Sequence, residues 1–466
     1  MFDLELKNCI IYGYEGEADT VGIRHGRIVD VGTALHENSA RTIDLEGKTL
    51  IPGYIDSHTH LLNLGLSMGR LDLSGARSRQ EALDMAMEYG RTHQSGPIVG
   101  YGWDETLWGE KDYISRKEID FTERPVVLYR KDMHMASANS SVLRIMGVNS
   151  QEGIVKEENL RKLENIVKPN DRESAAALEA AIRHAISEGI TTVRDIMLPD
   201  TISLVRKMNP PLRIFHMIYG SEYGGQDMSG PDSWGIKLFL DGSIGAKTAA
   251  HKGWTGNLKI SYAQLYEQIA NFWNMGIPVA MHAIGEEAVA QAVRVLREQH
   301  GSLRNSIEHF ELVREEDLEG ISPSTVISSQ PNFLQWSMEN GLYHSNLGSD
   351  WYGRDNPFRD ILDRGLNLAF GSDCMPMSPG YGIGLAVTSG HNRQRISLNE
   401  AIDAYTRGGA YILHEENLSG RIGIGFRADL AIFDEGYLTD PAGIWKKKPQ
   451  MTIVGGNIAY SRLHGE

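Results

Sequence analysis

Two histidines, His58 and His60, close the segment GYIDSHTH. In an extended strand residues i and i+2 point to the same side, so both imidazoles can ligate one metal ion. A short HxH match can also be a pair of surface or core histidines. Four further groups give it weight. Lys237 lies in the apolar run GIKLFLDGS, where an ammonium is costly unless modified or paired. His282 closes IPVAMHA, His309 closes SIEHF and Asp373 closes LNLAFGSD. Each has a plain explanation when taken alone: a hydrogen-bonded core histidine, a turn aspartate, a lysine snorkelling from a strand end. Together they suit a divalent metal centre that activates water.

The elements needed to gather these groups are legible. Eight apolar segments read as strands: KTLIPGYIDSHTH, ITTVRDI, LRIFHMI, GIKLFLD, IPVAMHA, SIEHF, TVISSQP and LNLAFGSD. They are near-continuous rather than alternating, as parallel strands buried on both faces must be. Amphipathic segments stand between them, among them residues 173–188 before Gly189, 262–275 before Gly276, 286–300 before Gly301 and 358–364 before Gly365. Eight strands interleaved with helices predict an α/β (β/α)8 TIM barrel, whose active site lies at the C-terminal strand ends. Every candidate group stands at or near such an end.

Both ends of the chain read differently. Short strands punctuated by Gly13, Gly22, Gly26, Gly32 and Gly47 fill the first fifty residues, and RADLAIFD and QMTIVGGNIAYS stand near the other end. The expected organisation is a small β-sandwich from residues 1–51 and 416–466, with the barrel over 52–415. The interval between the first two barrel strands is too long for a loop, so an inserted subdomain is expected at about 64–170.

The 466 residues carry 46 Lys and Arg against 61 Asp and Glu, a net charge of −15. That balance disfavours a nucleic-acid partner. The triplet Lys446, Lys447, Lys448 reads as a solvated face. Cys9 and Cys374 are the only cysteines, so no disulfide framework is implied. No signal peptide and no run of ~18 apolar residues is seen, which leads to the expectation of a cytoplasmic protein without a membrane partner.

The order His58-x-His60, Lys237, His282, His309, Asp373, with LIPGYIDSHTH, GITTVRD, KLFLDGSIGAKTA, HAIGEEAV, IEHFELV and FGSD, resembles the amidohydrolase superfamily, in particular its amidohydrolase-3 (YtcJ-like) branch. The segments GRIVDVG and SGRIGIGFRADLAIFD extend the resemblance to nearly the whole chain. It implies one or two divalent metal ions, with zinc expected and manganese, iron, cobalt or nickel compatible. His58, His60 and Asp373 would hold the more buried ion and His282 and His309 the second. Lys237, carboxylated by CO2, would bridge them. The implied activity is hydrolysis of a carbon–nitrogen bond in a small-molecule amide or N-acyl substrate by a metal-activated hydroxide. Asp373 would move the proton from water to the leaving nitrogen. A homodimer is plausible for such a protein.

The insertion is expected to supply the pocket. Trp103, Trp108, Tyr129, Arg130 and His134 are the candidates: Arg130 for a substrate carboxylate, His134 (in RKDMHMASANS) for the carbonyl or leaving group. The aromatics are more often core than pocket, and His134 serves equally well in a cap or in packing. Asp241, Gly242 and Ser243 could shape a loop that contacts substrate, the simpler reading being a turn that positions Lys237. Two other readings stay open. The same fold could cleave an ester, lactone, cyclic amide or phosphoester. A non-catalytic binding protein would be marked by a missing ligand, and all six positions are filled.

Overall fold

The computed structural model describes residues 1–463 apart from 15, 95, 157, 255, 300, 340 and 349. Eight parallel strands form its central sheet in sequence order: β1 (Tyr54–Thr59), β2 (Ile190–Met197), β3 (Arg213–Tyr219), β4 (Ser233–Phe239), β5 (Val279–Ala283), β6 (Ser306–His309), β7 (Val326–Ser329) and β8 (Asn367–Phe370). Strands β1, β2, β5, β6 and β7 are buried at every position. Burial on both faces is why their sequences run apolar without alternation. Among the intervening helices, Asp171–Ser187 presents Leu178, Ala181, Ile182 and Ala185 to the main core. Tyr262–Asn274 and Glu286–Arg297 contribute likewise.

The barrel closes between β8 and β1 just beyond the strand ends. The amide of Asp373 donates to the carbonyl of His58 at 2.8 Å, and that of Ser372 to Asp56 Oδ1 at 2.8 Å. Gly371 permits the approach, since a Cβ there would fall 2.6 Å from the His58 nitrogen.

The segment KTLIPGYIDSHTH, expected as one strand, divides at Gly53. Thr49–Pro52 leaves the barrel and pairs with Ile10–Ile11 and Leu430–Phe433. A Cβ on Gly53 would lie 2.2 Å from the Thr191 side chain, so the crossing from sandwich to barrel requires glycine. The first sandwich sheet is built from Arg27–Gly32, Thr20–Arg24, Leu4–Lys7 and Thr42–Asp44. The second adds Met451–Val454 and Asn457–Ser461. Leu6, Val21 and Ile23 from one sheet meet Leu50, Leu430 and Ile453 from the other in one apolar core.

Between β1 and β2, helix Leu61–Gly69 packs on Asp171–Ser187 and stays with the barrel. Gly65 is the contact point, where a Cβ would lie 1.8 Å from the Ala177 carbonyl oxygen. A five-stranded sheet follows, ordered Ile154–Lys156, Met135–Ala138, Val126–Arg130, Ile98–Trp103, Leu71–Asp72. Alternation along its central strand divides two cores, Val126 and Leu128 facing one and Val127 and Tyr129 the other. Among the described residues no helix is long and apolar enough to cross a membrane.

Candidate metal centre

The six expected ligands stand at or near the C-terminal ends of their strands. His58 and His60 project from the end of β1, and Asp373 from the turn after β8. His60 Nε2 lies 3.3 Å from Asp373 Oδ1 and His58 Nε2 lies 3.8 Å from the same oxygen. One ligand atom from each of the three falls within 4.8 Å of the others. The ring of His309 is 4.9 Å from that of His58 and 4.5 Å from that of His282. Lys237 comes up from β4, and its Nζ is 5.2 Å from the Phe239 ring.

The surroundings prepare these groups as ligands. Burial, with Lys237 next in weight, pushes the imidazolium form of His58 down to about 4. His282 and His309 are driven well below their ordinary values, chiefly by burial and then by the crowding of Lys237 and the other imidazoles. All three imidazoles are therefore neutral near pH 7, with a lone pair to offer. Burial also lowers the Lys237 ammonium to about 8. Burial raises Asp373, but His58, His60 and Lys237 together outweigh it and hold the carboxyl below its usual value.

Neighbours fix which nitrogen is free. His58 Nδ1 is hydrogen-bonded to Glu308 Oε2 on β6, and His282 Nε2 donates to the Gly242 carbonyl at 3.0 Å. Glu308 is itself held by Arg194, whose Nη2 donates to Oε1 at 2.6 Å. Arg194 also donates to the Ser57 carbonyl at 2.7 Å and lies under the Trp234 ring. Sequence reasoning passed over Glu308, Arg194 and Asp56. The clue that singled out Lys237, a charge inside an apolar parallel strand, was equally present in ITTVRDI and SIEHF.

Asp241 does more than shape a turn after Lys237. Its carboxylate accepts from the amides of Ala250, Ile284 and Gly285 at 2.9, 3.1 and 2.7 Å, tying the loop after β4 to the one after β5. Ser243 lines a cavity that opens onto His309 and Asp373.

The insertion contributes to that cavity through other residues than most of those expected. His134 lines it, with its ring 5.9 Å from that of His282. Trp103 and Trp108 lie in the insertion's own core and donate to the carbonyls of Leu128 and Ala76. Tyr129 is in the opposite core, stacked on Tyr101 at 5.1 Å. Arg130 is buried and fully engaged, forked onto Glu105 at 2.8 and 2.6 Å and bonded to Asp132 at 2.8 Å. Its guanidinium is committed to these two carboxylates in this structure. Its engagement leaves Asp132, His134 and the buried Glu311 on the cavity wall, beside Phe333, Trp336 and Tyr343.

Lys237 Nζ, His60 Nδ1 and His309 Nδ1 are buried without a hydrogen-bond partner among the described residues. Buried imidazole nitrogens in this state, beside the Asp373 carboxylate, fit a bound cation. A model of the Amidohydrolase family matches residues 41–460. The chain belongs to the amidohydrolase family.

Three similar proteins extend the comparison. The YtcJ protein of Bacillus subtilis is 26% identical, with 90% of each chain covered. N-substituted formamide deformylase of Arthrobacter pascens is 23% identical, covering 96% of this chain and 95% of its own. The solved structure of an uncharacterized metal-dependent hydrolase from Pyrococcus furiosus is 27% identical with a TM-score of 0.73, covering 94% of this chain and 99% of its own. This amidohydrolase is a metal-dependent hydrolase of carbon–nitrogen bonds.

Proposed function

We propose that this amidohydrolase cleaves the amide bond of a small N-acyl substrate at a centre of two divalent ions, with zinc the expected metal. The observation that carries the reading is the convergence of His58, His60, Lys237, His282, His309 and Asp373 at one end of the barrel, beside a cavity that His309 and Asp373 line. The likeness to a protein named for deformylation of N-substituted formamides supports the N-acyl class.

His58, His60 and Asp373 would hold one ion, and His282 and His309 the other. Lys237 would bridge them once carboxylated. Its ammonium is lowered to about 8, so a useful fraction of free amine is present near neutrality to attack CO2. Carboxylation converts a costly buried cation into an anion with two ligating oxygens. When bound, the ions lower the pKa of water toward neutrality and polarise the carbonyl.

The remaining work falls to the chain. Asp373 stands both among the ligands and on the cavity wall. It takes the proton of the attacking water and delivers it to the leaving nitrogen. His134, which lines the same cavity, steadies the carbonyl or the leaving group by a hydrogen bond. Cys9 and Cys374 are free thiols, which accords with a reducing compartment such as the cytoplasm.

Elemental analysis of the purified protein is the first test. About two equivalents of transition metal per chain would support the bridged centre. About one would remove Lys237 as a bridge. None, even after incubation with zinc and bicarbonate, would overturn the proposal. A panel of N-formyl, N-acetyl and larger N-acyl amines against matched esters then tests the bond cleaved.

A further inference from the structure

The imidazole of His60 is held less directly than those of the other ligating histidines. His58 is bonded through Nδ1 to Glu308, and His282 through Nε2 to the Gly242 carbonyl. Such a bond fixes the direction of a ring and which nitrogen carries the proton. His309 lies parallel to the Phe333 ring, with centroids 5.9 Å apart. His60 has neither aid. Its Nδ1 is buried without a hydrogen-bond partner among the described residues, and its Nε2 lies 3.3 Å from Asp373 Oδ1, within the ligand set itself.

The backbone around His60 is held instead. His60 is the cap residue of the helix Leu61–Gly69. The first amides of a helix have no partner within it, and the side chain of the cap residue commonly meets one of them. The His60 ring, turned toward Asp373, meets none. Asp195, near the C-terminal end of β2, takes over that task from the neighbouring strand. Its Oδ1 accepts from the Leu61 amide at 2.7 Å and from the Thr59 hydroxyl at 2.6 Å. One buried oxygen thus clamps the residues on either side of His60. The amide of His60 itself donates to Cys374 Sγ at 3.3 Å. Burial raises the Asp195 carboxyl to about 7, yet an acceptor oxygen remains in either protonation state. The clamp therefore needs an oxygen at this place and not a charge.

We propose that Asp195 is the positioning residue of His60: by clamping the turn from β1 into the helix, it sets the direction in which the imidazole meets the metal ion. The inference deepens the proposed function and rests on it for the presence of that ion.

The test is zinc affinity, measured by competition with a chelator, of the unaltered protein and of Asp195→Ala and Asp195→Asn, each made with and without His60→Ala. The step to follow is the one that His60→Ala weakens. Asp195→Ala is expected to weaken it by about 10–100-fold. Asp195→Asn keeps the oxygen and is expected to stay within about threefold of the unaltered protein. In the His60→Ala background, Asp195→Ala should change the affinity by less than about twofold, because the ring it positions is gone. A residue that only supported the fold would act alike in both backgrounds and would not be rescued by asparagine. Either of those results would overturn the proposal, as would an unchanged affinity in Asp195→Ala. Should Asp195→Ala fail to fold, Thr59→Val removes one of the two bonds at constant shape. It is then expected to weaken the same step by about threefold, and no change would be fatal to the idea. An unaltered protein that takes up no zinc would remove the metal reading and this inference together; zinc uptake without an effect of Asp195→Ala removes this inference alone.

Discussion

Glu308 accepts a hydrogen bond from His58 Nδ1 and leaves Nε2 as the imidazole's free lone pair, facing Asp373. The same carboxylate is the counter-charge of Arg194, buried beneath the site. Metal affinity and barrel stability therefore share one residue. Loss of a carboxylate that orients a ligating histidine lowers metal affinity by about 10–100-fold. Glu308→Gln is expected to do so in a titration against a competing chelator. Glu308→Ala also strands the Arg194 charge, and the urea midpoint should report a loss of about 3–5 kcal/mol.

Asp373→Asn keeps an oxygen that can ligate but cannot take a proton. Turnover on an identified substrate should fall by about 10²–10⁴-fold, while metal content falls far less. Equal losses of both would limit Asp373 to a ligand.

For Lys237 the direction of the pH effect follows from its lowered value. Below about 8 the group is mostly ammonium and cannot attack CO2; above it the free amine dominates. At fixed CO2 pressure, activation of metal-free protein by zinc should speed up about tenfold per pH unit on the acid side and level off above 8. Mass spectrometry of the active protein should find one added CO2 on Lys237. The same shift bears on the metal-free, uncarboxylated fold. Folding lowers the affinity of this lysine for its proton, so its cost is greatest below 8 and vanishes as pH rises to the unfolded value of 10.5.

Arg130→Met should behave as a stability variant. It leaves Glu105 and Asp132 buried without their cation, at a cost of about 3–5 kcal/mol. A selective rise in KM for carboxylate-bearing substrates, with the melting temperature unchanged, would restore Arg130 as a substrate contact.

Much of this architecture is legible in the sequence because each barrel strand announces itself alone. A buried parallel strand must be apolar throughout, and a ligand at its end is its last polar letter, as in IPVAMHA and SIEHF. What stayed hidden depends on partners far apart in the chain. Arg130 looks available until Glu105 is folded beside it, and Trp103 looks like a pocket wall until the insertion proves to have a core of its own. The helix Leu61–Gly69 was also obscured, because only Gly65 marks its contact with Asp171–Ser187.

The pairing of Thr49–Pro52 with Leu430–Phe433 sets a timetable for synthesis. At roughly 5–20 residues per second, the early strand leaves the ribosome tens of seconds before its partner exists. Meanwhile Leu50 and Ile51 form an apolar edge open to the wrong neighbour. That edge is four residues long and ends at Pro52, which lacks an amide donor. A nascent chain is thus carried through its most aggregation-prone interval by a template too short to recruit a stranger, and the sandwich is among the last parts to be sealed.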